Sequence, residues 1–291
     1  MAAENNLTEK FAKAQSIDFV EQFGKSIKKL LEMLKIERRM TLPVGATIKT
    51  YSSKVTLDGT KVAKGDIIPL SKVETTEGDP IELAWDKKRK AVAIEDIQAY
   101  GFEQAVSKTD TELVRELQKE IKKNFFAQLA KGTTSVSGVG LQGAMAKAWG
   151  GVAGKFEDDD VTTIAFVNPT DVADYLATAQ ITVQTAFGLR YVENFLGVDV
   201  AIMSTSVPAK TLYATASDNL CLAQANMAGS EIAKAFDFTT DETGIIGVTH
   251  DVNKQRLTAE TVTASATVLF AERLDGIVKA TITEAAAAAK A

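Results

Sequence analysis

The sequence has very little of the chemistry on which enzymes and metal sites most often depend. Its 291 residues include one cysteine, Cys221, and one histidine, His250. One cysteine excludes an intramolecular disulfide, and a zinc site with several Cys or His ligands cannot be built from this pair. A histidine-dependent triad would have to use His250. We therefore expect a non-enzyme without catalytic residues, metal or cofactor, made in a reducing compartment.

The chain also lacks an excess of positive charge and any long apolar segment. It carries 33 Lys and Arg against 38 Asp and Glu, a formal net charge of -5. Proteins that bind nucleic acid through phosphates need clustered positive charge, so we expect only weak DNA contact without sequence specificity. No segment approaches the roughly 20 apolar residues that span a bilayer. The polar N-terminus does not resemble a signal peptide, and no membrane association is expected.

Helical periodicity dominates the first part of the chain. Apolar residues recur at steps of three and four from Leu7 to Leu34, which predicts a helix that continues to Met40 and ends before Pro43. Gly24 is a candidate break within it. The second half is basic and amphipathic, which fits a membrane-surface helix or an arm that packs on its own or a neighbouring subunit.

Residues 46–100 change to alternating Thr, Val, Ile and Lys with frequent turn signals, which predicts an extended antiparallel ribbon. Ile81, Leu83 and Trp85 alternate with polar or small residues and predict one apolar face. A charged tip or edge follows. Its cations are Lys87, Lys88, Arg89 and Lys90. They are candidate contacts with acidic residues of an adjacent subunit, or simply solvated surface.

A long amphipathic helix is predicted after the ribbon. Thr109 and Glu112 fit a capping box, and Gly132 marks the end of the helix. At 1.5 Å per residue this predicts a rod of roughly 34 Å, too long for a crossover in a compact sheet.

The second half of the chain predicts mixed helices and strands. The glycine-rich segment 133–154 indicates flexible or closely packed backbone and lacks a phosphate-binding motif. The consecutive acids at 157–160 predict a solvated loop. A buried strand begins at Val161, and Asn168 caps a helix that extends to about Thr178.

Further along the chain, strand patterns predict a non-local topology. They comprise a strand at 198–203, a hairpin at 212–223 that places Cys221 in a buried strand, and long extended segments after Glu231. No βαβ repeat is visible, so the fold class is α+β.

The order of these parts resembles the major capsid protein of tailed bacteriophages, whose fold is named after phage Hong Kong 97. The phrases that carry the resemblance are AYGFEQAVSKTDTELVRELQKEIKKNFF, FVNPTDVADYL, GVDVAIMSTSVPAKTLYATASDNLCLAQ and LFAERLDGIVKATI. The resemblance implies an N-terminal arm (1–45), an E-loop β-ribbon (46–100), a peripheral domain with a spine helix (101–132 and 251–291) and an axial domain (133–250).

The resemblance also implies a function and partners. The expected protein is a structural subunit that assembles with itself into hexamers and pentamers of an icosahedral head, with a scaffolding protein and a portal. The head encloses double-stranded DNA, and the protein is found in the virion after assembly in the host bacterial cytoplasm. Some family members join an E-loop lysine covalently to an asparagine of a neighbour. Lys87, Lys88, Lys90 and Asn253 are present, but their spacing selects no pair.

Three alternatives remain open from the sequence. The first is an encapsulin-like shell around a cargo enzyme, which shares the architecture. The second is a carboxylate-dependent hydrolase that uses acids such as Asp158, Asp171 or Glu193. The third is a tail or surface adhesin, which an aromatic content of only 7% disfavours.

Overall fold

The structure is a computed structural model that describes residues 2–56, 58, 61, 64, 67, 70–156, 161–176, 184–186 and 189–284. Within these residues the helices are α1 Ala2–Met33, α2 Ile94–Tyr100, α3 Phe102–Leu129, α4 Gly140–Ala153, α5 Pro169–Leu176 and α6 Glu231–Ala235. The strands are β1 Arg39–Thr41, β2 Thr47–Ile48, β3 Tyr51–Thr56, β4 Lys72–Glu77, β5 Ile81–Glu82, β6 Asp86–Ala93, β7 Thr134–Val139, β8 Thr163–Val167, β9 Gln184–Ala186, β10 Leu189–Phe195, β11 Val198–Met203, β12 Thr211–Ala216, β13 Leu220–Gln224, β14 Ile246–Asn253, β15 Thr258–Ser265, β16 Thr267–Ala271 and β17 Val278–Thr283. The predicted α+β class is confirmed.

A seven-stranded sheet forms the centre of the fold, in the order β7-β17-β12-β8-β11-β10-β9. In β8 the alternate side chains of Ile164 and Phe166 face a core shared with α1 and α3, while Ala165 and Val167 face a second core under α4 and α5. All five residues of β8 are buried. The sheet is therefore covered on both faces, which explains the continuous apolar run in the sequence.

Helix α1 packs along its own subunit. Its side chains Phe23, Ile27 and Leu31 are nearly inaccessible to solvent and belong to the core that also contains α3. The face needed for a membrane-surface helix is therefore occupied, and the packing arm is confirmed in its own-subunit form. Gly24 does not interrupt the helix. A Cβ at this position would collide with the Asp241 carboxylate, so the glycine permits a close approach.

The predicted end of α1 at Met40 is wrong, because the helix stops at Met33. Lys35 adopts φ 45 in the left-handed region. The N–H of Ile36 donates to the Leu31 carbonyl at 2.9 Å and that of Lys35 to the Glu32 carbonyl at 3.1 Å. This is a Schellman end, and it allows the buried Ile36 to re-enter the core.

The predicted start of the long helix at Thr109 is also wrong. Helix α3 begins at Phe102 and spans 28 residues, roughly 42 Å. The Thr109 hydroxyl donates to the carbonyls of Ala105 and Val106 in the preceding turn of α3. Thr109 therefore lies inside the helix and does not cap its start. Ala105 and Val106 pack with Val92 in a small apolar cluster, which extends the helix towards its N-terminus.

The predicted hairpin at 212–223 does not form. Strand β12 pairs with β17 and β8, whereas β13 pairs with β1 and β16 in a separate three-stranded sheet. Between them the buried Asn219 side chain donates to the Thr215 hydroxyl and the Arg273 carbonyl, and it accepts from the Arg273 N–H. Both strands are buried on both faces, so each occupies a central position in a different sheet. The prediction that Cys221 is buried in a strand is confirmed.

Other local predictions have mixed outcomes. The segment after Glu231 starts with the short helix α6, capped by Ser230, and only later becomes extended. The glycine-rich segment is closely packed, since a Cβ on Gly138 would collide with the backbone of Gly143. Asn168 accepts from the Thr170 N–H at the start of α5, as predicted. The acidic run at 157–160 and the predicted helix end at Thr178 lie outside the described residues.

Strand pairing crosses the expected domain boundaries in three sheets, including β1-β13-β16, whose strands are assigned to the arm, the axial domain and the peripheral domain. Strand β17, from the segment assigned to the peripheral domain, lies between β7 and β12 in the seven-stranded sheet. Strand β14, which falls mostly in the segment assigned to the axial domain, pairs with β15 in the sheet β14-β15-β6. The division into domains stays a prediction, and these pairings are where it is least consistent with the hydrogen bonding.

Candidate assembly interface

A two-stranded ribbon, β3 paired with β4, projects from the body of the subunit. Every residue of β4 is exposed. The side chains of Ile67, Leu70 and Val73 are 94%, 95% and 62% exposed. A two-stranded hairpin is marginally stable in water, and apolar side chains at its far end gain nothing from solvent. The ribbon therefore has the properties of a surface that another molecule covers.

The root of the ribbon is fixed firmly to the body. The Tyr51 N–H donates to the Glu272 carbonyl at 3.1 Å, and the Leu274 N–H donates to the Tyr51 carbonyl at 2.9 Å. The Gly78 N–H donates to the Thr50 carbonyl at 2.8 Å, and a Cβ on Gly78 would collide with Leu274. The direction of the ribbon is thus set where it leaves the subunit.

The predicted cluster of cations lies on β6, the edge strand of the sheet β14-β15-β6, and not in the two-stranded ribbon to which the sequence pattern assigned it. Its members have different environments. Lys88 contacts Asp86 and Glu120, each at 2.8 Å, and the hydrogen bonds that its ammonium donates to these two carboxylates raise the pKa of Lys88. Arg89 donates two hydrogen bonds to Glu260, at 2.6 and 3.0 Å, and this lowers the pKa of Glu260.

The other two cations, Lys90 and Lys87, differ most in burial and in ion pairing. Lys90 lies 2.8 Å from the Asp110 carboxylate, and burial lowers the pKa of Lys90. Lys87 is exposed and forms no ion pair with any described residue. Three of the four predicted contact residues thus have partners in their own chain, and Lys87 is left as a charge available to a neighbour. Their role between subunits stays a prediction.

A buried polar network surrounds Asp110. Besides Lys90, this carboxylate accepts a hydrogen bond from the Thr261 hydroxyl at 3.1 Å and lies 3.0 Å from His250 Nε2. The other imidazole nitrogen, Nδ1, lies 2.8 Å from the Ser16 hydroxyl. The network therefore joins the N-terminal helix α1, the long helix α3 and all three strands of the sheet β14-β15-β6.

Ser16, His250 and Asp110 are the residue types of a serine-hydrolase triad, but the site is closed. Ser16 is 2% exposed, and its hydroxyl donates to the Ala12 carbonyl at 3.0 Å. No substrate reaches this hydroxyl while α1 is in place, so the geometry suits a structural connection. Two features of the sequence point to this network: Ser16 is a polar residue on the apolar face of α1, and His250 is the single histidine. The sequence could not show that Asp110, which lies between the predicted capping residues Thr109 and Glu112, would join them.

The carboxylates considered for a hydrolase do not form a site among the described residues. Asp158 lies outside them. Asp171 accepts a hydrogen bond from the Lys210 N–H at 2.9 Å, and burial raises its pKa. Glu193 lies in a different cleft, beside Lys29. The part of the chain that the structure describes contains no group of three or more potential metal ligands. None of its helices is long and apolar enough to cross a membrane.

Comparison with known proteins gives similarity in fold but not in sequence. No protein-family model and no curated protein matches the sequence. Among solved structures, the capsid of cyanophage P-SCSP1u is 11% identical with a TM-score of 0.52, over 85% of this chain and 86% of that one. A chain of Gordonia phage Cozz is 11% identical with a TM-score of 0.52, over 87% and 86%.

A shell protein that is not described as a phage protein is equally similar. The holo-SrpI encapsulin complex from Synechococcus elongatus PCC 7942 is 12% identical with a TM-score of 0.52, over 88% of this chain and 90% of that one. Each of the three likenesses covers 85% or more of this chain. This chain therefore has the Hong Kong 97-like capsid fold.

Proposed function

We propose that this protein is the structural subunit of an icosahedral shell, and specifically the major capsid protein of a tailed phage. It would assemble with itself into hexamers and pentamers that enclose the double-stranded DNA genome, and its place would be the virion. The single observation that carries the proposal is the exposed ribbon on a fold shared with a phage capsid.

The energetics of the ribbon support self-assembly. Apolar burial contributes about 25 cal/mol per Å², and Ile67 and Leu70 bury almost nothing in the isolated subunit. Contact with a neighbour would recover that stabilisation in every subunit of the shell. Many modest interfaces of this kind, repeated by symmetry, would give a stable container without any one strong contact.

The charge of the chain supports a container that does not bind its contents tightly. A net charge of -5 disfavours strong attraction to DNA phosphates. A scaffolding protein and a portal are the further partners we propose, with assembly in the host bacterial cytoplasm. The role is structural and not catalytic.

An encapsulin-like shell around a cargo protein is the second candidate. The observation that favours it is the likeness to the SrpI encapsulin, whose TM-score of 0.52 equals that of the phage chains. The two candidates differ in contents. A phage head protects DNA from nuclease, whereas an encapsulin holds protein.

Sedimentation of the expressed protein tests the proposal. We expect a large, homogeneous particle, formed either by the subunit alone or together with a scaffolding protein. Monomers or small oligomers under all of these conditions would overturn the proposal of a shell. Nuclease-resistant DNA in particles from infected cells would support the phage head, and a co-purifying enzyme without DNA would support the encapsulin.

A further inference from the structure

A cavity of about 250 Å³ lies where the N-terminal helix, the long helix and the strands around the root of the ribbon meet, and we call it the junction cavity. Its apolar lining includes Phe23 of α1 together with Leu117 and Ile121 of α3. The rest of the lining includes polar residues of α3, β5, β6, β15 and β16. Because several separate elements supply the walls, the fold as a whole determines the shape of the cavity.

Two hydroxyl groups in this lining are unpaired. Ser265 is only 8% exposed, and its hydroxyl forms no hydrogen bond within the part of the chain that the structure describes. The Thr267 Oγ1 atom is buried and has no partner there either. Buried polar atoms in folded proteins are nearly always hydrogen-bonded, because an unpaired one is destabilising. The two hydroxyls therefore point to a polar group that binds in the junction cavity.

The lining also carries an excess of negative charge. Asp86 Oδ1 and Glu120 Oε2 each lie 2.8 Å from the ammonium of Lys88. The second oxygen of each carboxylate forms no hydrogen bond or ion pair with any described residue. Glu82 lines the cavity as well, so three carboxylates against one ammonium give a net charge of -2. Lys87 does not line the cavity, since successive residues of a strand point to opposite faces.

We propose that the junction cavity binds a small organic cation, in which an ammonium or guanidinium group is attached to a short alkyl chain. The N–H groups of such a cation are donors only, and they match the free carboxylate oxygens and the unpaired hydroxyl oxygens. The alkyl chain would contact Phe23, Leu117 and Ile121, and the indole ring of Trp85 offers a cation–π contact. The volume is below the roughly 300–1,000 Å³ of pockets for drug-sized ligands, so the ligand is small.

Other ligands fit the junction cavity less well. A metal ion needs several ligands that converge on one point, and the described residues contain no group of three or more potential metal ligands. A neutral polyol could bond to the two hydroxyls but would leave the negative charge uncompensated. A small anion would be repelled by the carboxylates. The cavity lies within one subunit, so the inference goes beyond the proposed shell and does not depend on assembly.

Tryptophan fluorescence tests the inference. The chain contains two tryptophans, Trp85 and Trp149, and only Trp85 lines the junction cavity. In a Trp149→Phe background, the emission therefore reports on the cavity alone. Addition of n-butylguanidinium, at concentrations far below those that denature proteins, should change this emission in a saturable way. Addition of n-butylurea, which has nearly the same shape but no charge, should not.

Two variants and a matched control locate the site. Glu120→Gln should weaken the binding of n-butylguanidinium at least about tenfold, because a charged hydrogen-bond acceptor is lost. Ser265→Ala should weaken it about threefold or more, because a neutral acceptor is lost. The control is Glu116→Gln on the same helix, where Glu116 pairs with Lys119 outside the cavity, and it should bind like the parent protein. Thermal unfolding shows that each variant is folded at the temperature of the titration.

Three results would overturn the proposal: an equal response to n-butylurea, equal affinity in Glu120→Gln and Glu116→Gln, or no saturable response to the cation, in which case the two hydroxyls bind water only. A saturable response to glucose but not to the cation would identify a polyol site and would overturn it as well. The titration does not require assembled particles. Its failure therefore leaves the proposed shell standing, and failure of the shell leaves the cation site standing.

Discussion

The imidazole Nε2 of His250 lies 3.0 Å from the Asp110 carboxylate, which joins strand β14 to helix α3 in the interior of the subunit. The same carboxylate lies 2.8 Å from Lys90 of β6, the strand that follows the ribbon. His250 also contacts Ser16 of α1. One buried anion therefore holds together the N-terminal helix, the long helix and the sheet at the end of the ribbon.

Replacement of Asp110 should destabilise the subunit strongly. Asp110→Ala leaves the Lys90 ammonium without its ion-pair partner and is expected to lower the free energy of unfolding by about 3–5 kcal/mol. Removal of the charge as well, in Asp110→Ala/Lys90→Met, should recover part of that loss. Urea denaturation followed by circular dichroism measures both.

The matched control for Asp110 is Glu112→Ala on the same helix. Its carboxylate is 63% exposed and pairs with Arg115, so the expected change is within about 0.5 kcal/mol. Equal stability of the two single variants would refute a structural role for the network.

Gly24 gives a second prediction, in which the effect of one substitution on stability has opposite signs in two backgrounds. Gly to Ala in a helix interior normally stabilises by roughly 1 kcal/mol. Here the new methyl group would displace the Asp241 carboxylate, which accepts hydrogen bonds from the Thr243 hydroxyl and the Gly244 N–H. Gly24→Ala should therefore destabilise the wild type but stabilise an Asp241→Ala background. Denaturation midpoints of the four proteins measure the effect, and the same sign in both backgrounds would contradict the close approach.

The buried Cys221 predicts a loss of stability in alkaline solution. Burial raises the pKa of its thiol above the ordinary value of about 9, with Glu272 adding to the effect and Arg38 opposing it. Above pH 9 the unfolded chain loses this proton first, so the folded state binds more protons and stability falls as pH rises.

Only one proton is involved, so the free energy of unfolding changes by at most about 1.4 kcal/mol per pH unit. Cys221→Ala should lack this contribution. The comparison is the difference in unfolding free energy between pH 8 and pH 10.5 for each protein. Identical differences in the wild type and the variant would show that the thiol titrates normally in the folded state.

The cation cluster separates folding from assembly. Lys88→Glu places a third carboxylate beside Asp86 and Glu120 and should cost the subunit about 1–2 kcal/mol. Lys87→Glu should leave the unfolding free energy within about 0.5 kcal/mol but reduce particle yield, because its charge has no ion-pair partner among the described residues. Parallel thermal unfolding and particle assays distinguish the two. Normal particle yield from Lys87→Glu would identify Lys87 as solvated surface.

Local sequence patterns predicted the elements that have one clear face. The periodicity of α1 and the alternation at Ile81, Leu83 and Trp85 correspond to buried and exposed positions in the structure. Asn168 was identifiable because its side chain acts within the next turn. These features depend on neighbours only a few residues away, which is the range over which a sequence pattern carries information.

Features set by distant contacts could not be predicted. Strands β12 and β13 resemble a hairpin locally, but their partners come from β17 and β16 more than 40 residues later. Thr109 satisfies a capping pattern, yet packing of Ala105 and Val106 extends the helix past it. Ser16 and His250 are 234 residues apart, so only the folded chain reveals their contact.

Electron cryomicroscopy of the assembled protein tests the central claim most directly. The account predicts closed icosahedral shells in which the ribbon of each subunit lies over a neighbour. Particles in which the ribbon contacts no other subunit, or preparations that contain only monomers and small oligomers with and without a scaffolding protein, would contradict it.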